Sequence, residues 1–285
     1  MVQKNVYARS TKISRTRASL HGVLHGLYPP ETRPSPSYTF NMITRDRQDE
    51  PLHSKNGEEC PLLDDITQQI YQDEEDQYYS LSDSLFSSIQ SLTQYIPRNL
   101  ASAPDSADVL GMSQFMDQAR VLHCHHPTFI CSNSACQAEL QHAGGVFHQL
   151  AMFSTFSTRP RLANRQQQLK IGQLIYEFLH LIISPSSHTP PMNVFLGHDN
   201  TLTAVLAALE AKQVSWPAYA SSLVLEVWQS QHLDMAVRIL NNGKAIQTDY
   251  CDFEQGCPLT TLYNVLKPKA ISPMDWNKAC FSSST

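Results

Sequence analysis

Apolar and polar positions along the chain fall into strand-like and helix-like periods that break at prolines and glycines. Asn5-Val6-Tyr7-Ala8 is a short strand candidate, followed by Arg9 and by Ser10 and Thr11, which suit a helix N-cap. A helix is predicted next, with Ile13, Leu20, Val23, Leu24 and Leu27 on one face and Pro29-Pro30 as its stop. Residues 31–57 are rich in Pro, Ser and charge and read as loop. Cys60 to about Tyr79 reads as helix with an acidic run, Asp73 to Asp76, as a solvated face. A second helix is predicted from Leu81 to Tyr95, then a Pro/Ala/Ser linker over 97–110. The stretch 121–165 has poor periodicity. A long amphipathic helix is predicted over Arg165–Ile183, a loop over Ser184–Pro191, a strand over Asn193–Leu196 and an Ala-rich helix over Thr201–Ala211. Ser222–Gln229 and Met235–Leu240 read as strands, and Asn242-Gly243 signals a hairpin into Lys244–Thr248.

This order predicts an α/β chain with a mostly helical insertion. The expected division is 1–45 with 165–285 as an α/β core, and 46–164 as a helical, cysteine-containing cap. The stretch richest in chemistry is Phe195-Leu196-Gly197-His198-Asp199-Asn200-Thr201-Leu202. A strand that turns into a helix aims side chains and free N–H groups at one point, where the helix N-terminus favours an anion. His198 can donate to a phosphate, and Asp199 can give a proton to a leaving group. Arg9 stands on the same kind of strand-to-helix crest.

Apolar residues make up 41% of the 285 and charged residues 16%, so a core can be buried. A net charge of −5 gives no footprint for nucleic acid or an anionic membrane. No apolar run approaches the ~20 residues of a membrane span. The first residues lack the apolar stretch of a signal peptide. The seven cysteines are Cys60, Cys124, Cys131, Cys136, Cys251, Cys257 and Cys280. Cys251 and Cys257 suit a local bridge, and Cys60 and Cys280 could staple the last residues back. Such a set reads as oxidised and secretory, with an odd thiol left over. Secretory cysteines without a signal create the expectation that further sequence lies upstream.

Tyr7-Ala8-Arg9-Ser10-Thr11 with Ser14-Arg15-Thr16, together with Gly197-His198-Asp199, resembles the histidine acid phosphatases. Trp216-Pro217-Ala218-Tyr219-Ala220, Val237-Arg238-Ile239-Leu240, Cys257-Pro258-Leu259 and Cys280 extend the likeness. Cys124-His125-His126-Pro127-Thr128-Phe129-Ile130-Cys131 and Leu225-Glu226-Val227-Trp228-Gln229 resemble the 2-phosphoxylose phosphatase branch. The resemblance implies a phosphoglycerate-mutase-like fold: a three-layer sandwich with a mostly parallel central sheet and a helical cap. It implies a phosphohistidine mechanism in the Golgi lumen or a secreted setting, without cofactor or metal. The implied partner is a small-molecule or glycan phosphomonoester, not nucleic acid; a homodimer is admitted, with oligomeric state open.

Under that likeness Arg9 and His53 bind substrate, His198 contacts phosphate and Asp199 is the general acid. The family's Arg-His-Gly nucleophile motif does not occur in the sequence, so its strand is expected to be missing and the chain inactive as written. Leu20-His21-Gly22 and Leu24-His25-Gly26 read as ordinary helix-flank positions. Structural readings stand beside these: an ion pair for Arg9, a salt bridge beneath the site for Arg15, a solvated loop for His53, strand roles for Glu226 and Arg238. The Cys-x6-Cys-x4-Cys spacing after His123 is not a standard zinc frame, and the resemblance favours disulfides there. The alternative function is a non-catalytic, phosphatase-like binding module.

Overall fold

A computed structural model describes residues 6–33, 35, 38–95, 109–125, 131, 133–153, 160–183, 190–212, 214–229 and 234–281. They divide into two compact units, 1–66 with 158–285, and 67–157.

In the first unit, strand β1 (Val6–Ser10) pairs in parallel with β2 (Met192–Leu196), Arg9 opposite Phe195 and Ser10 opposite Leu196. Ile43 bridges the other side of β1: Ser10 N–H donates to Ile43 O at 3.0 Å and Ile43 N–H to Ala8 O at 2.9 Å. Helix α1 (Ser14–Leu27) follows β1 and buries Thr16, Leu20 and Leu24, a stripe at four-residue spacing. Ala8, Val6, Val194 and Leu196 pack with the two leucines. Val23 and Leu27, expected on the same face, stay 42% and 44% exposed. Ser10 and Thr11 do not cap this helix; Ile13 is its N-cap residue, because β1 continues through Ser10 and the Thr11 hydroxyl is engaged elsewhere.

The expected helix over 165–183 is two: α6 (Pro160–Lys170) and α7 (Gly172–Ile183). The break falls where Ile271 N–H donates to Gly172 O and the Lys269 carbonyl lies against Gly172 too closely for a Cβ. Helix α8 (Asp199–Ala208) follows β2, and Lys269, buried, donates to Ala208 O at its C-terminal end at 2.7 Å.

Strands β3 (Leu223–Gln229), β4 (Met235–Asn241), β5 (Lys244–Ala245) and β6 (Cys257–Pro258) form a separate antiparallel sheet, with β4 central. Asn242 and Gly243 take φ of 50° and 78°, the left-handed pair that the hairpin expectation requires. Glu226 lies opposite Arg238 and pairs with it at 3.8 Å, as the strand reading had it. Thus the chain is α/β, but a mostly parallel central sheet is not what the described strands form. Parallel pairing is confined among them to β1, β2 and the Ile43 bridge.

Helix α9 (Leu259–Leu266) and α10 (Pro273–Phe281) complete this unit; Trp276 Nε1–H donates to Leu169 O at 2.7 Å. Cys60–Cys280 and Cys251–Cys257 are disulfides, as the spacing suggested.

Helix α2 (Pro61–Asp73) contains the unit boundary. The second unit continues with α3 (Glu75–Leu92), α4 (Val109–His125) and α5 (Ser134–Phe153). Its core holds Leu85, Ile89, Leu92, Met112, Phe115 and Phe147 among others. Cys131–Cys136 is a disulfide, so neither sulfur is a thiolate for a metal. The side chains of His123 and Cys124, residues 126–130, and most of the 97–110 and 184–191 stretches lie outside the described residues. No helix among those described is long and apolar enough to cross a membrane.

Candidate active site

Parallel pairing sets the ends of β1 and β2 side by side, and Thr11 N–H extends the ladder to Leu196 O at 3.2 Å. The chain then enters α8. His198 is its N-cap residue, with extended backbone (φ −128°, ψ 169°). His198 N–H donates to Thr201 Oγ1 at 3.0 Å, and Thr201 N–H returns a bond to His198 O at 3.1 Å. Thr201 Oγ1 also donates to Leu52 O at 2.6 Å, which ties the 50–55 loop to this turn. A Cβ at Gly197 would sit 2.8 Å from Thr201 Oγ1, so the glycine is what lets the threonine close the cap.

Two groups meet the His198 ring. Thr11 Oγ1 lies 3.2 Å from its Nε2, and Thr11 Oγ1 is in turn 2.7 Å from Thr16 Oγ1. His53 stacks on the ring at 5.1 Å between centroids. Asp199 follows in sequence, exposed. Asp199 Oδ1 accepts from Asn200 N–H at 2.8 Å, and Oδ2 accepts from Trp216 Nε1–H at 3.1 Å. Burial, first, and then the charge of Arg15 hold the His198 pKa below the ordinary imidazole value; Asp199 opposes this and Arg47 adds to it. Burial, with His198, Arg47 and Lys55, lowers His53 to about 4, against Glu59. Both rings are therefore favoured in their neutral form.

Arg9 is 1% exposed. Its Nη2 lies 2.7 Å from Glu177 Oε2, its Nε 3.4 Å from Glu50 Oε1, and its guanidinium over the Phe195 ring. Glu177 also takes Arg45 at 2.5 Å. Arg9, expected to bind phosphate, is engaged by two carboxylates in a buried ion pair. Arg15 is exposed and has no carboxylate in ion-pair reach among the described residues, so the salt bridge expected for it is absent there. It is the largest charge acting on His198. A signal for it was in the sequence: the first turn of α1 carries Arg15 and Arg17 and no acid, against the helix-dipole preference. His53, expected to line a pocket, is 7% exposed and stacked on His198, and it borders a small cavity with Pro51, Lys55 and Gln173. His21 and His25 stack on each other along α1, with Arg33 Nη2 2.8 Å from His25 Nδ1. No described cluster of three His, Cys, Asp or Glu could hold a metal ion.

One consequence is a pH dependence of stability. An unfolded His53 binds a proton below about 6.5, a folded one only below about 4. Between these values the unfolded chain holds more protons, so the His53 contribution is full above pH 6.5 and is lost as pH falls toward 4. Urea unfolding at pH 7 and 5 is expected to show a smaller drop for His53→Gln than for the parent protein. An equal drop in both would assign the acid sensitivity elsewhere.

Residues 1–242 match the family described as the histidine phosphatase superfamily (branch 2). A 2-phosphoxylose phosphatase 1 from Xenopus tropicalis is 24% identical over 87% of this chain and 48% of its own length; the mouse protein is 25% identical over 95% and 55%. The lysosomal acid phosphatase of Rattus norvegicus is 24% identical over 98% of this chain and 65% of its own. The chain spans about half the length of the phosphoxylose phosphatases it matches. Among solved structures, the Citrobacter braakii phytase superposes with a TM-score of 0.68 at 12% identity, covering 94% of this chain and 80% of the phytase. A Klebsiella phytase gives 0.64 at 14% identity, covering 94% and 79%.

Proposed function

The chain belongs to branch 2 of the histidine phosphatase superfamily, and we propose from that premise that its β1–β2 crest is the phosphate and leaving-group side of an acid phosphomonoesterase site. Arg15 and His198 hold the phosphoryl oxygens, and the buried Thr11 hydroxyl orients the His198 ring through Nε2. Asp199 gives its proton to the ester oxygen as the P–O bond breaks and the bonding pair leaves with that oxygen. The phosphoryl group passes to a histidine, and water then releases it as phosphate. The observation that carries this reading is a His-Asp pair at a helix N-terminus, with an exposed arginine that has no carboxylate partner among the described residues and whose charge acts on the histidine.

The accepting histidine belongs, by the resemblance, to an Arg-His-Gly triplet that is not among these 285 residues. The 285-residue protein is accordingly expected to bind phosphate without turning over p-nitrophenyl phosphate at pH 5. Turnover that His198→Ala abolishes would overturn that expectation. A sugar phosphate as substrate is supported by the likeness to proteins named 2-phosphoxylose phosphatase. An oxidising, secretory setting is supported by three disulfides among the described residues.

Calorimetric titration with inorganic phosphate at pH 5.5 tests the site. A charge-assisted bond contributes roughly 1.5–3 kcal/mol, so Arg15→Ala and His198→Ala are each expected to weaken binding about tenfold or more. Unchanged affinity in both would remove the site.

A further inference from the structure

The carboxylate that handles the proton accepts from an indole N–H, and that indole is not among the buried residues of the described core. Trp276 shows what a structural tryptophan does in this protein: 5% exposed, its N–H spent on the Leu169 carbonyl. Trp216 is only half-buried and stands in the irregular segment between α8 and β3. Its N–H goes to Asp199 Oδ2 at 3.1 Å. Oδ1 already takes the Asn200 N–H at 2.8 Å, so the two bonds together fix the carboxylate plane. Pro217 follows directly and restricts the backbone on that side.

A general acid must come within hydrogen-bond reach of the leaving oxygen. Whatever carbon skeleton that oxygen carries therefore starts within about 3 Å of Asp199, itself in contact with Trp216. The indole is thus a wall of the leaving-group side, whereas Arg15 and His198 belong to the phosphate side. Indole faces take up ring-bearing groups with apolar faces, sugars and aryl groups alike, better than short alkyl chains.

We propose that Trp216 has two roles: its N–H positions Asp199, and its ring selects phosphomonoesters whose leaving alcohol carries a ring. This rests on the phosphatase reading above and adds a substrate preference to it.

The experiment is equilibrium binding to the full 285-residue chain at pH 5.5 with four probes: inorganic phosphate, methyl phosphate, phenyl phosphate and glucose 1-phosphate. The parent protein is expected to bind at least one ring-bearing ester about fivefold to tenfold more tightly than methyl phosphate, in keeping with a single aromatic contact. The phenyl and glucose arms tell an aryl from a sugar preference. Trp216→Ala is expected to bring that ratio near one; Trp216→Phe, which keeps a ring and loses the N–H, should retain most of it. The positioning role is read separately. Trp216 emission should differ between the parent protein and Asp199→Ala, which removes the acceptor of its N–H, and no such difference should remain when Asp199→Ala is compared in a Trp216→Phe background.

A ratio unchanged in Trp216→Ala, or Trp216 emission that Asp199→Ala leaves unaltered, overturns the corresponding role. If inorganic phosphate binding ignores Arg15→Ala and His198→Ala, the phosphatase reading fails. If it responds to them and the ring preference ignores Trp216, only this inference fails.

Discussion

Arg9→Met is expected to lower the unfolding free energy by about 3–5 kcal/mol, the range for removing one member of a buried ion pair, and to leave phosphate affinity of the folded protein unchanged. The guanidinium lies between two carboxylates, Glu177 at 2.7 Å and Glu50 at 3.4 Å, and Glu50 is fully buried. Glu50 keeps one backbone donor, Leu52 N–H at 3.1 Å, while its Oε2 has no partner. Arg45 still serves Glu177 in the variant. Glu50 is therefore the group left with a buried charge.

Its pKa already stands above the ordinary carboxylate value because burial outweighs the pull of Arg9. A carboxyl raised in the folded state stabilises the fold below its unfolded pKa, and that contribution is lost as pH rises through the folded value. Without Arg9 the folded value moves higher still. The loss in Arg9→Met should consequently be larger at pH 7.5 than at pH 4.5, and a double variant with Glu50→Gln should recover part of it. Urea unfolding at the two pH values measures both. A loss under about 1 kcal/mol, accompanied by weaker phosphate binding, would return Arg9 to the substrate.

The same pair of arginines shows what the sequence carried and what it did not. Both crests were legible, because a short apolar run, a His-Asp pair and an Ala-rich helix are local patterns. So were the Asn242-Gly243 hairpin and two disulfides. The choice between Arg9 and Arg15 was not local. The partners of Arg9 are 41 and 168 positions away, at Glu50 and Glu177, and no spacing rule reaches them. Trp216 was singled out only as part of the likeness; its contact with Asp199 was not legible for the same reason, since that partner is 17 positions back across a helix and a loop.

Helix α5 is a different case. Its buried positions, from Cys136 through Leu140, Ala143 and Val146 to Leu150 and Phe153, do have helical spacing. Gly144-Gly145 and interspersed histidines hide it, and its packing against α3 supplies what propensity lacks. The mostly parallel sheet was what the resemblance implied; β3 to β6 pair antiparallel instead, as the Asn242-Gly243 hairpin already required of β4 and β5.

The second large effect concerns the bond between Cys60 and Cys280, which closes a sequence separation of 220. Loop-closure entropy removed from the unfolded chain grows with the logarithm of loop length, which places this bridge at the upper end of the usual 2–5 kcal/mol range. The two other bridges span separations of 5 and 6, and the same relation gives each only about 2 kcal/mol. In the folded state α10 has other anchors. Trp276 is buried against Leu169, and Lys55 Nζ lies 5.7 Å from its ring centroid. The helix should therefore stay docked in Cys60→Ser/Cys280→Ser, and the change should fall chiefly on the unfolded ensemble. With about 2–4 °C per kcal/mol for a domain of this size, the midpoint of thermal unfolding is expected to fall by about 8–20 °C. Near-ultraviolet circular dichroism at 20 °C, sensitive to the packing of Trp276, should be retained. A midpoint shift under about 2 °C would show that the unfolded chain gains little freedom from opening this loop. A lost near-ultraviolet signal would place the effect instead in α10 undocking.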